Sequence, residues 1–127
     1  MIKLLLVDDE KGITESLKKF FEDRGFYVQT ADSGEEALEI VEKERPSIIF
    51  LDIRMKGMDG LQALERIKKI DKRIKVIMLT VLEDAEIKEK ARSLGADEYV
   101  TKPFSTQYLE EILIKKVQGL LDEKKKE

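Results

Sequence analysis

Residues 3–10, which read KLLLVDDE, place two adjacent carboxylates directly behind a run of apolar side chains. A continuous apolar run bounded by polar residues is typical of a β-strand that is buried on both faces, as in a parallel sheet. Two carboxylates about 4 Å apart repel each other by roughly 4 kcal/mol at an effective dielectric constant near 20. The stretch therefore predicts a buried strand whose end carries a mutually repelling pair of acids, Asp8 and Asp9.

The rest of the chain alternates short strand-like runs with longer helical patterns. Apolar runs rich in β-branched residues recur at 47–51 and 74–79, and like the first run at 2–7 they predict strands that are covered on both faces. The runs at 27–31 and 98–101 mix apolar and polar positions, which indicates strands at the edges of a sheet. Five strands are therefore predicted.

Between and after these strands, apolar residues recur at the spacing of one helix face. The predicted stripes are Ile13, Leu17, Phe20 and Phe21; Ala37, Leu38 and Val41; Leu61, Leu64 and Ile67; Ile87, Ala91 and Leu94; and Leu109, Ile112, Leu113, Val117 and Leu120. Gly25 and Gly95 are suited to end the first and fourth helices. Ser33 and Glu36 have the spacing of a capping box at the start of the second helix, which Pro46 should end.

This (βα)₅ order predicts the fold class. Alternating strands and helices indicate an α/β protein with a parallel sheet and helices on both faces. A doubly wound, flavodoxin-like strand order of 2-1-3-4-5 places the three apolar strands in the centre and the two mixed strands outside. The length of 127 residues fits one domain, which we expect to span 1–121, followed by a charged tail at 122–127.

The composition excludes several kinds of chemistry. The chain has no cysteine and no histidine, which rules out disulfides, thiolate or imidazole metal sites and a Ser-His catalytic triad. Its 24 basic and 27 acidic residues give a net charge of −3, so direct nucleic-acid binding is not expected. No apolar run approaches the roughly 18 residues of a membrane helix and no secretory leader is apparent, so we expect no membrane association and a cytoplasmic location.

Polar side chains are predicted at the carboxyl ends of four strands. Asp8 and Asp9 follow the first strand, Asp52 follows the third, Thr80 closes the fourth and Lys102 follows the fifth. In open α/β sheets, ligands bind at this edge where the strand order reverses, which here lies between the first and third strands. The three aspartates should therefore meet at that point.

Three carboxylates in one crevice need a cation to offset their repulsion. All-oxygen ligands completed by water suit Mg²⁺, with Mn²⁺ as an alternative. Lys102 would add a positive charge and Thr80 a hydroxyl donor, which favours phosphoryl transfer onto a carboxylate. Each residue also has a purely structural explanation. Asp8 and Asp9 could stabilise the N-terminus of a helix through its dipole. Asp52 could be a turn residue, Thr80 a strand end and Lys102 a solvated lysine. Their occurrence at one edge favours the site.

With these motifs in place, the chain resembles the receiver domains of two-component response regulators. The resemblance covers 3–121 and rests on LLVDDE, FLDIRMKGMDG, VIMLT and GADEYVTKPF taken together. It implies that Asp52 is a phosphoacceptor, which takes a phosphoryl group from a sensor histidine kinase or a phosphotransfer protein. It also implies that Asp9 and Asp52 bind Mg²⁺ directly, together with the backbone carbonyl of Arg54, whereas Asp8 acts through water.

The resemblance further implies a conformational switch and interaction surfaces. Thr80 and Lys102 would contact the phosphoryl oxygens, Thr80 would move toward the phosphoryl group, and Tyr99 would turn inward. Tyr99 could also be an edge-strand aromatic that packs against its neighbours, and both descriptions can hold in different states. The first helix would dock the kinase, and the face of the fourth helix, fifth strand and fifth helix would serve output or a homodimer. Such a domain is a signalling phosphoacceptor that promotes its own phosphorylation and dephosphorylation, and not otherwise an enzyme.

Three departures from the family pattern bear on the site. Lys56 stands where the family usually has proline, which we expect to loosen the loop after Asp52. Val81 is bulkier than the small residue usual at its position, and we expect it to slow phosphoryl turnover, so Val81→Ala should change the phosphorylation or dephosphorylation rate. Arg54 and Leu82 occupy positions that tune the lifetime of the phosphorylated state in the family. A cationic and an apolar residue at these positions do not indicate whether that lifetime is long or short.

Two other functions compete with this interpretation. A pseudo-receiver, which is a phosphorylation-independent interaction module, is opposed by the intact set of polar residues. An aspartyl-phosphate phosphatase would need an Asp-x-Asp arrangement, whereas the acids here are adjacent. The output pathway and the choice between a stand-alone protein and part of a longer regulator are left open by the sequence.

Overall fold

The computed structural model describes residues 2–80, 84–102, 105–108 and 112–126. The elements along the chain are β1 (Lys3–Val7), α1 (Lys11–Glu22), β2 (Tyr27–Ala31), α2 (Gly34–Glu44), β3 (Ile48–Asp52), α3 (Gly60–Ile70), β4 (Lys75–Thr80), α4 (Ala85–Ser93), β5 (Glu98–Thr101), α5 (Thr106–Tyr108) and α6 (Ile114–Lys126). All five predicted strands are present, and none of their ends lies more than one residue from its predicted position.

The sheet has the predicted architecture. All strand pairs are parallel and the order is β2-β1-β3-β4-β5, so the two mixed strands lie at the edges. Every residue of β3 and β4 is buried, because helices cover both faces of these central strands. The register pairs Val7 with Leu51, so the residues that follow them, Asp8 and Asp52, come to lie side by side.

An apolar layer lies on each face of the sheet. On one face, Leu17 and Phe21 of α1 and Val117 of α6 pack in a single cluster with residues of the strands. On the other face, Val41 of α2 and Leu64 of α3 belong to a second cluster. Full burial of a side chain of this size contributes about 1.5–3 kcal/mol relative to exposure, so these stripes hold the helices on the sheet.

The helix ends follow local sequence signals. The Ser33 hydroxyl accepts a hydrogen bond from the Glu36 N–H at 3.1 Å and so caps α2 as expected. A reciprocal capping box forms at the start of α3, between Asp59 and Gln62. Arg45 ends α2 in a left-handed conformation, with φ at 47°, just before the proline.

The predicted fifth helix corresponds to two elements within the described residues, the short α5 and the longer α6, and one position of its apolar stripe differs from the prediction. Leu113, Val117 and Leu120 are buried as expected, but Ile112 is 44% exposed. The buried positions repeat at intervals of four and three residues, and Ile112 lies about 100° around the helix from Leu113. Leu109 lies outside the described residues. None of the helices within the described ranges combines the length and apolar character needed to cross a bilayer.

Candidate functional site

The predicted edge of the sheet brings four polar side chains into the protein interior. Asp8, Asp52, Thr80 and Lys102 are between 1% and 6% exposed. Asp8 follows β1, Asp52 ends β3 and Thr80 ends β4, and these three strands are adjacent in the sheet. Buried polar residues of this kind need partners within the fold, and Lys102 supplies one for both Asp8 and Asp52.

Lys102 is the cation at the centre of the cluster. Its ammonium nitrogen lies 2.7 Å from Asp8 Oδ2, 3.6 Å from Asp52 Oδ2 and 3.6 Å from Glu10 Oε1. The backbone N–H of Lys102 donates to the Thr80 carbonyl at 2.7 Å, which fixes the start of this side chain relative to β4. The closest ion pair in the site therefore joins Lys102 to Asp8 rather than to Asp52.

The carboxylates of Asp8 and Asp52 are also oriented by backbone amides. The Glu10 N–H donates to Asp8 Oδ1 at 2.9 Å, so both oxygens of Asp8 have partners. The Arg54 N–H donates to Asp52 Oδ1 at 3.3 Å. These contacts leave Asp52 as the less tightly held of the two buried carboxylates.

The electrostatics of the site oppose the ionisation of Asp52. The pKa of Asp52 is raised from 3.8 to about 6, chiefly by burial and further by the negative charge of Asp8, although Lys102 and the Arg54 N–H act to lower it. For Lys102, burial acts to lower the pKa, but the hydrogen bond to Asp8 and the surrounding carboxylates outweigh it and raise the pKa above 10.5. Lys102 therefore stays protonated at neutral pH, beside more negative charge than it neutralises.

A group of three carboxylates in this cluster has the composition of a hard-cation site. One oxygen each from Asp8, Glu10 and Asp52 lies within 4.8 Å of the other two. Oxygen ligands without nitrogen or sulfur suit Mg²⁺ or Mn²⁺, and a divalent cation would offset the repulsion that raises the pKa of Asp52. The residues present thus fit the ion that was expected from the sequence.

Asp9, the expected direct ligand, lies beside this group rather than within it. Its side chain is exposed and lines an open groove of about 550 Å³ together with Arg54, Lys56 and Ile87. Arg54 also lines this groove, so the two residues expected to share a cation border the same space.

Glu10 is the site residue that the sequence analysis missed. It occupies the N-cap position of α1, yet its side chain makes no capping hydrogen bond and instead lies near Lys102. Glutamate is not among the residues favoured at an N-cap. The signal in VDDE that could have identified Glu10 is that it is a third consecutive acid at a position where it caps a helix poorly.

Gly60 shapes the loop that follows Asp52. A Cβ atom at Gly60 would lie 2.2 Å from the Asp52 carbonyl oxygen and 2.6 Å from the Ile53 Cα. The Gly60 N–H donates to the Ile53 carbonyl at 2.8 Å. Only glycine lets α3 begin this close to the end of β3, which explains the terminal residue of the FLDIRMKGMDG motif.

The remaining predicted residues are placed as follows. Tyr99 is half-buried on β5, with its ring centre 5.1 Å from the Lys88 ammonium, and its role as a switch residue stays a prediction. Lys56 is exposed and precedes Gly57, whose φ is 77°. Val81 and Leu82 lie outside the described residues.

Comparison with known proteins identifies the family. The sequence model of the response regulator receiver domain matches residues 4–114. The chain belongs to this family. As a receiver domain, it is a component of two-component signalling systems, and its fold and motifs agree with that membership.

Individual relatives resemble the receiver domain over most of its length. It is 40% identical over 102 residues to sporulation initiation phosphotransferase F of Bacillus subtilis strain 168, covering 80% of this chain and 82% of that protein. It is 39% identical over 103 residues to the alkaline phosphatase synthesis transcriptional regulatory protein PhoP of the same strain, covering 81% of this chain but only 43% of PhoP. A solved CheY-like receiver domain protein from Methanospirillum hungatei superimposes with a TM-score of 0.92, at 31% identity, covering 99% of this chain and 98% of that one.

Proposed function

We propose that Asp52 accepts a phosphoryl group from the phosphohistidine of a sensor histidine kinase or phosphotransfer protein, and that this modification switches the conformation of the domain. The observation that carries the proposal is the placement of the Lys102 ammonium 3.6 Å from Asp52 and 2.7 Å from Asp8. A carboxylate nucleophile, a cation for phosphoryl oxygens and further oxygen ligands are the parts that phosphoryl transfer requires.

The proposed step forms one bond to phosphorus and breaks another. An oxygen of the ionised Asp52 attacks phosphorus, the phosphorus–nitrogen bond of the phosphohistidine breaks, and its electron pair goes to the imidazole. The product is an acyl phosphate on Asp52. Lys102 stays protonated because its pKa is raised, so it can attract the phosphoryl oxygens throughout. Hydrolysis would reverse the modification: a water oxygen attacks the same phosphorus, the phosphorus–oxygen bond to Asp52 breaks, and the carboxylate is restored. Inorganic phosphate leaves, and the proton of the attacking water passes to phosphate or solvent.

The domain's own carboxylates would hold Mg²⁺, with Mn²⁺ as the alternative. We propose Asp9, Asp52 and the backbone carbonyl of Arg54 as direct ligands and Asp8 as a ligand through water. Both oxygens of Asp8 already have partners, which supports the indirect role. Bound Mg²⁺ would supply positive charge to neutralise the transferring phosphoryl group.

Thr80 and Tyr99 are the proposed switch residues. Phosphorylation replaces the single negative charge of the Asp52 carboxylate with a phosphoryl group that carries about −1.5 to −2. Inverting a population from 1:99 to 99:1 needs about 5.5 kcal/mol. Hydrogen bonds to charged groups contribute about 1.5–3 kcal/mol each, so contacts from Thr80 and Lys102 could supply most of that difference. Of the residues in α4, only Ala91 is buried, which makes this helix an element that can move at low cost.

The domain boundary and the output face are part of the same proposal. The receiver domain would span 1–121, because Leu120 and Leu121 are the last buried apolar residues of α6, with a charged tail at 122–127. We propose the α4–β5–α6 face for output or homodimer formation. An open groove of about 340 Å³ between α4 and β5, lined by Lys88, Arg92 and Tyr99 among others, supports this choice.

Phosphoryl transfer from a small donor tests the proposal. The protein is incubated with Mg²⁺ and acetyl phosphate, and intact-protein mass spectrometry should detect one added phosphoryl group. Asp52→Asn should abolish the adduct. The matched control is Asp84→Asn, which changes an exposed aspartate that caps α4 and should leave the adduct intact, since asparagine also caps helices.

The proposal fails if wild-type protein gains no phosphoryl group with either acetyl phosphate or a competent histidine kinase. That result would favour the pseudo-receiver. An adduct that persists in Asp52→Asn would place the acceptor at another residue.

A further inference from the structure

Asp97 joins the start of β5 to β4 at the amino-terminal ends of the strands, which lie opposite the acceptor site. The Asp97 N–H donates to the Val76 carbonyl at 2.9 Å. The Val76 N–H in turn donates to Asp97 Oδ2, also at 2.9 Å. One residue thus both donates to and accepts from the same residue of the neighbouring strand.

Two lysines close around the same carboxylate. The Lys68 ammonium lies 2.9 Å from Asp97 Oδ2 and donates to the Ile74 carbonyl, while the Lys75 ammonium lies 4.0 Å from Asp97 Oδ1. The side chains of Lys68, Lys75 and Asp97 are only 14%, 10% and 20% exposed. Charge-assisted bonds shielded from water in this way are stronger and more directional than exposed ones.

The turn that leads into β5 is fixed by the same cluster. A Cβ atom at Gly95 would lie 3.2 Å from the Cγ of Lys68, so the lysine stem lies directly against the turn. Gly95 has a φ of 104°, a conformation that favours glycine. We call Asp97, Lys68 and Lys75 the β5 clamp.

The strand that follows needs such a clamp. β5 has four residues and lies at the edge of the sheet, and only Val100 within it is buried. Register is weakly specified where a strand has little apolar patterning, and a slip of one residue exchanges its two faces. In the observed register, Thr101 pairs with Thr80, and this pairing sets where the next residue, Lys102, leaves the sheet.

We propose that Asp97 is a positioning residue for the reaction at Asp52, acting through the β5 register on Lys102. Asp97 and Lys102 lie at opposite ends of β5, about 17 Å apart along an extended strand, so Asp97 does not touch the reacting groups. The effect of Asp97 on phosphorylation rests on the proposed function, but its effect on the position of β5 can be measured without phosphorylation.

The first measurement is the rate of phosphoryl transfer from acetyl phosphate in the presence of Mg²⁺. Asp97→Asn keeps an acceptor for the Val76 N–H and loses the charge, and Lys68→Met keeps the apolar stem and loses the ammonium. A misplacement of about 1 Å can reduce a rate on the order of 100-fold, so we expect falls of about 10-fold in both variants. Val28→Ala, a buried truncation on the strand at the other edge of the sheet, is the control for lost stability and should keep the wild-type rate below its unfolding temperature.

A double-mutant cycle distinguishes positioning from general destabilisation. If Asp97 acts through Lys102, adding Asp97→Asn to Lys102→Met should not slow the residual reaction further, because coupled residues are not additive. Equal rates in wild type, Asp97→Asn and Lys68→Met would overturn the inference. A slowdown matched by Val28→Ala, or one that adds fully to Lys102→Met, would overturn it as well.

Amide hydrogen exchange gives a readout independent of phosphorylation. The Lys102 N–H, which donates to Thr80, should exchange at least about 10-fold faster in Asp97→Asn, whereas the amides of β1 should change little. If wild-type protein is not phosphorylated, the proposed function fails while the exchange result still tests the clamp. Unchanged exchange at Lys102 would overturn the clamp even where phosphorylation succeeds.

Discussion

The two ends of the sheet both hold buried ionic clusters, but the clusters have opposite character. At the carboxyl edge, one ammonium, that of Lys102, lies among three carboxylates, and the pKa of Asp52 is raised to about 6. At the amino edge, Asp97 lies between two lysines, and Lys75 is also 3.8 Å from Glu123. The amino edge is balanced in charge and holds strands together, whereas the carboxyl edge has excess negative charge and is suited to take up a cation.

This contrast shows how one fold separates stability from chemistry. A balanced cluster is already satisfied and resists change. An unbalanced one lowers the stability of the unbound domain but responds to ions and to modification. Matched substitutions at the two edges should therefore differ in their effects on stability.

The largest expected effect is that of removing a buried lysine. Lys102→Met should lower the free energy of unfolding by about 3–5 kcal/mol, because it leaves Asp8 and Asp52 buried without the ammonium between them. Lys75→Met should cost only about 1–2 kcal/mol, since Asp97 keeps Lys68 and the Val76 N–H. Urea denaturation in metal-free buffer at about pH 8 measures both, and equal losses would contradict the contrast.

The pH dependence of stability should carry a signature of the carboxyl edge. Because the pKa of Asp52 is higher in the folded state than its ordinary 3.8, its contribution to stability is fully present below pH 3.8 and is lost as the pH rises through about 6. The shift corresponds to at most about 3 kcal/mol across this window. Other carboxylates titrate in the same range, so the quantity to measure is the difference between the wild-type and Asp52→Asn stability profiles. A difference that does not change between pH 3.8 and 6 would show that Asp52 is not destabilised by its charge.

Replacing aspartate with asparagine should change the free energy of unfolding in opposite directions at the two edges. Asp52→Asn should raise the free energy of unfolding at about pH 8 by about 1–2 kcal/mol, less than the full penalty because asparagine loses the attraction of Lys102. Asp97→Asn should lower it by about 1–3 kcal/mol, because two partly buried lysines lose their shared carboxylate. Thermal or urea unfolding compares the two variants, and a change of the same sign in both would contradict the proposed difference.

The smallest expected effect is that of added Mg²⁺. A cation that binds only the folded state should stabilise wild-type protein by about 1.4 kcal/mol at ten times its dissociation constant. The gain should shrink in Asp52→Asn and persist in Asp97→Asn. Titration of the unfolding midpoint with MgCl₂, with NaCl matched for ionic strength as control, measures this. If Mg²⁺ stabilised Asp52→Asn as much as wild-type protein, the cation would bind at residues other than the proposed ligands.

Much of the fold and part of the site could be predicted because the determining signals are local. Continuous apolar runs predicted the central strands and a 3.6-residue repeat predicted the helices, because each pattern states which faces of an element are buried. The alternating order of these elements predicted the parallel sheet, and the strand order predicted that Asp8 and Asp52 meet. The exposure of Ile112 was missed because a broad apolar stripe does not state which of two adjacent residues faces the core. Glu10 was missed because an acid before a helix has an ordinary surface explanation.

Residue order and repeat are enough to define a five-stranded parallel α/β domain with acids, a threonine and a lysine at one edge. The assembled fold was needed to show that Lys102 pairs most closely with Asp8, that Asp9 lines the groove, and that Asp97 contacts β4 and two lysines at the far edge. These contacts join residues up to 94 positions apart in the chain, and they depend on loop conformation and strand register. No local repeat encodes distances of that kind, because they are set only when the whole sheet is assembled.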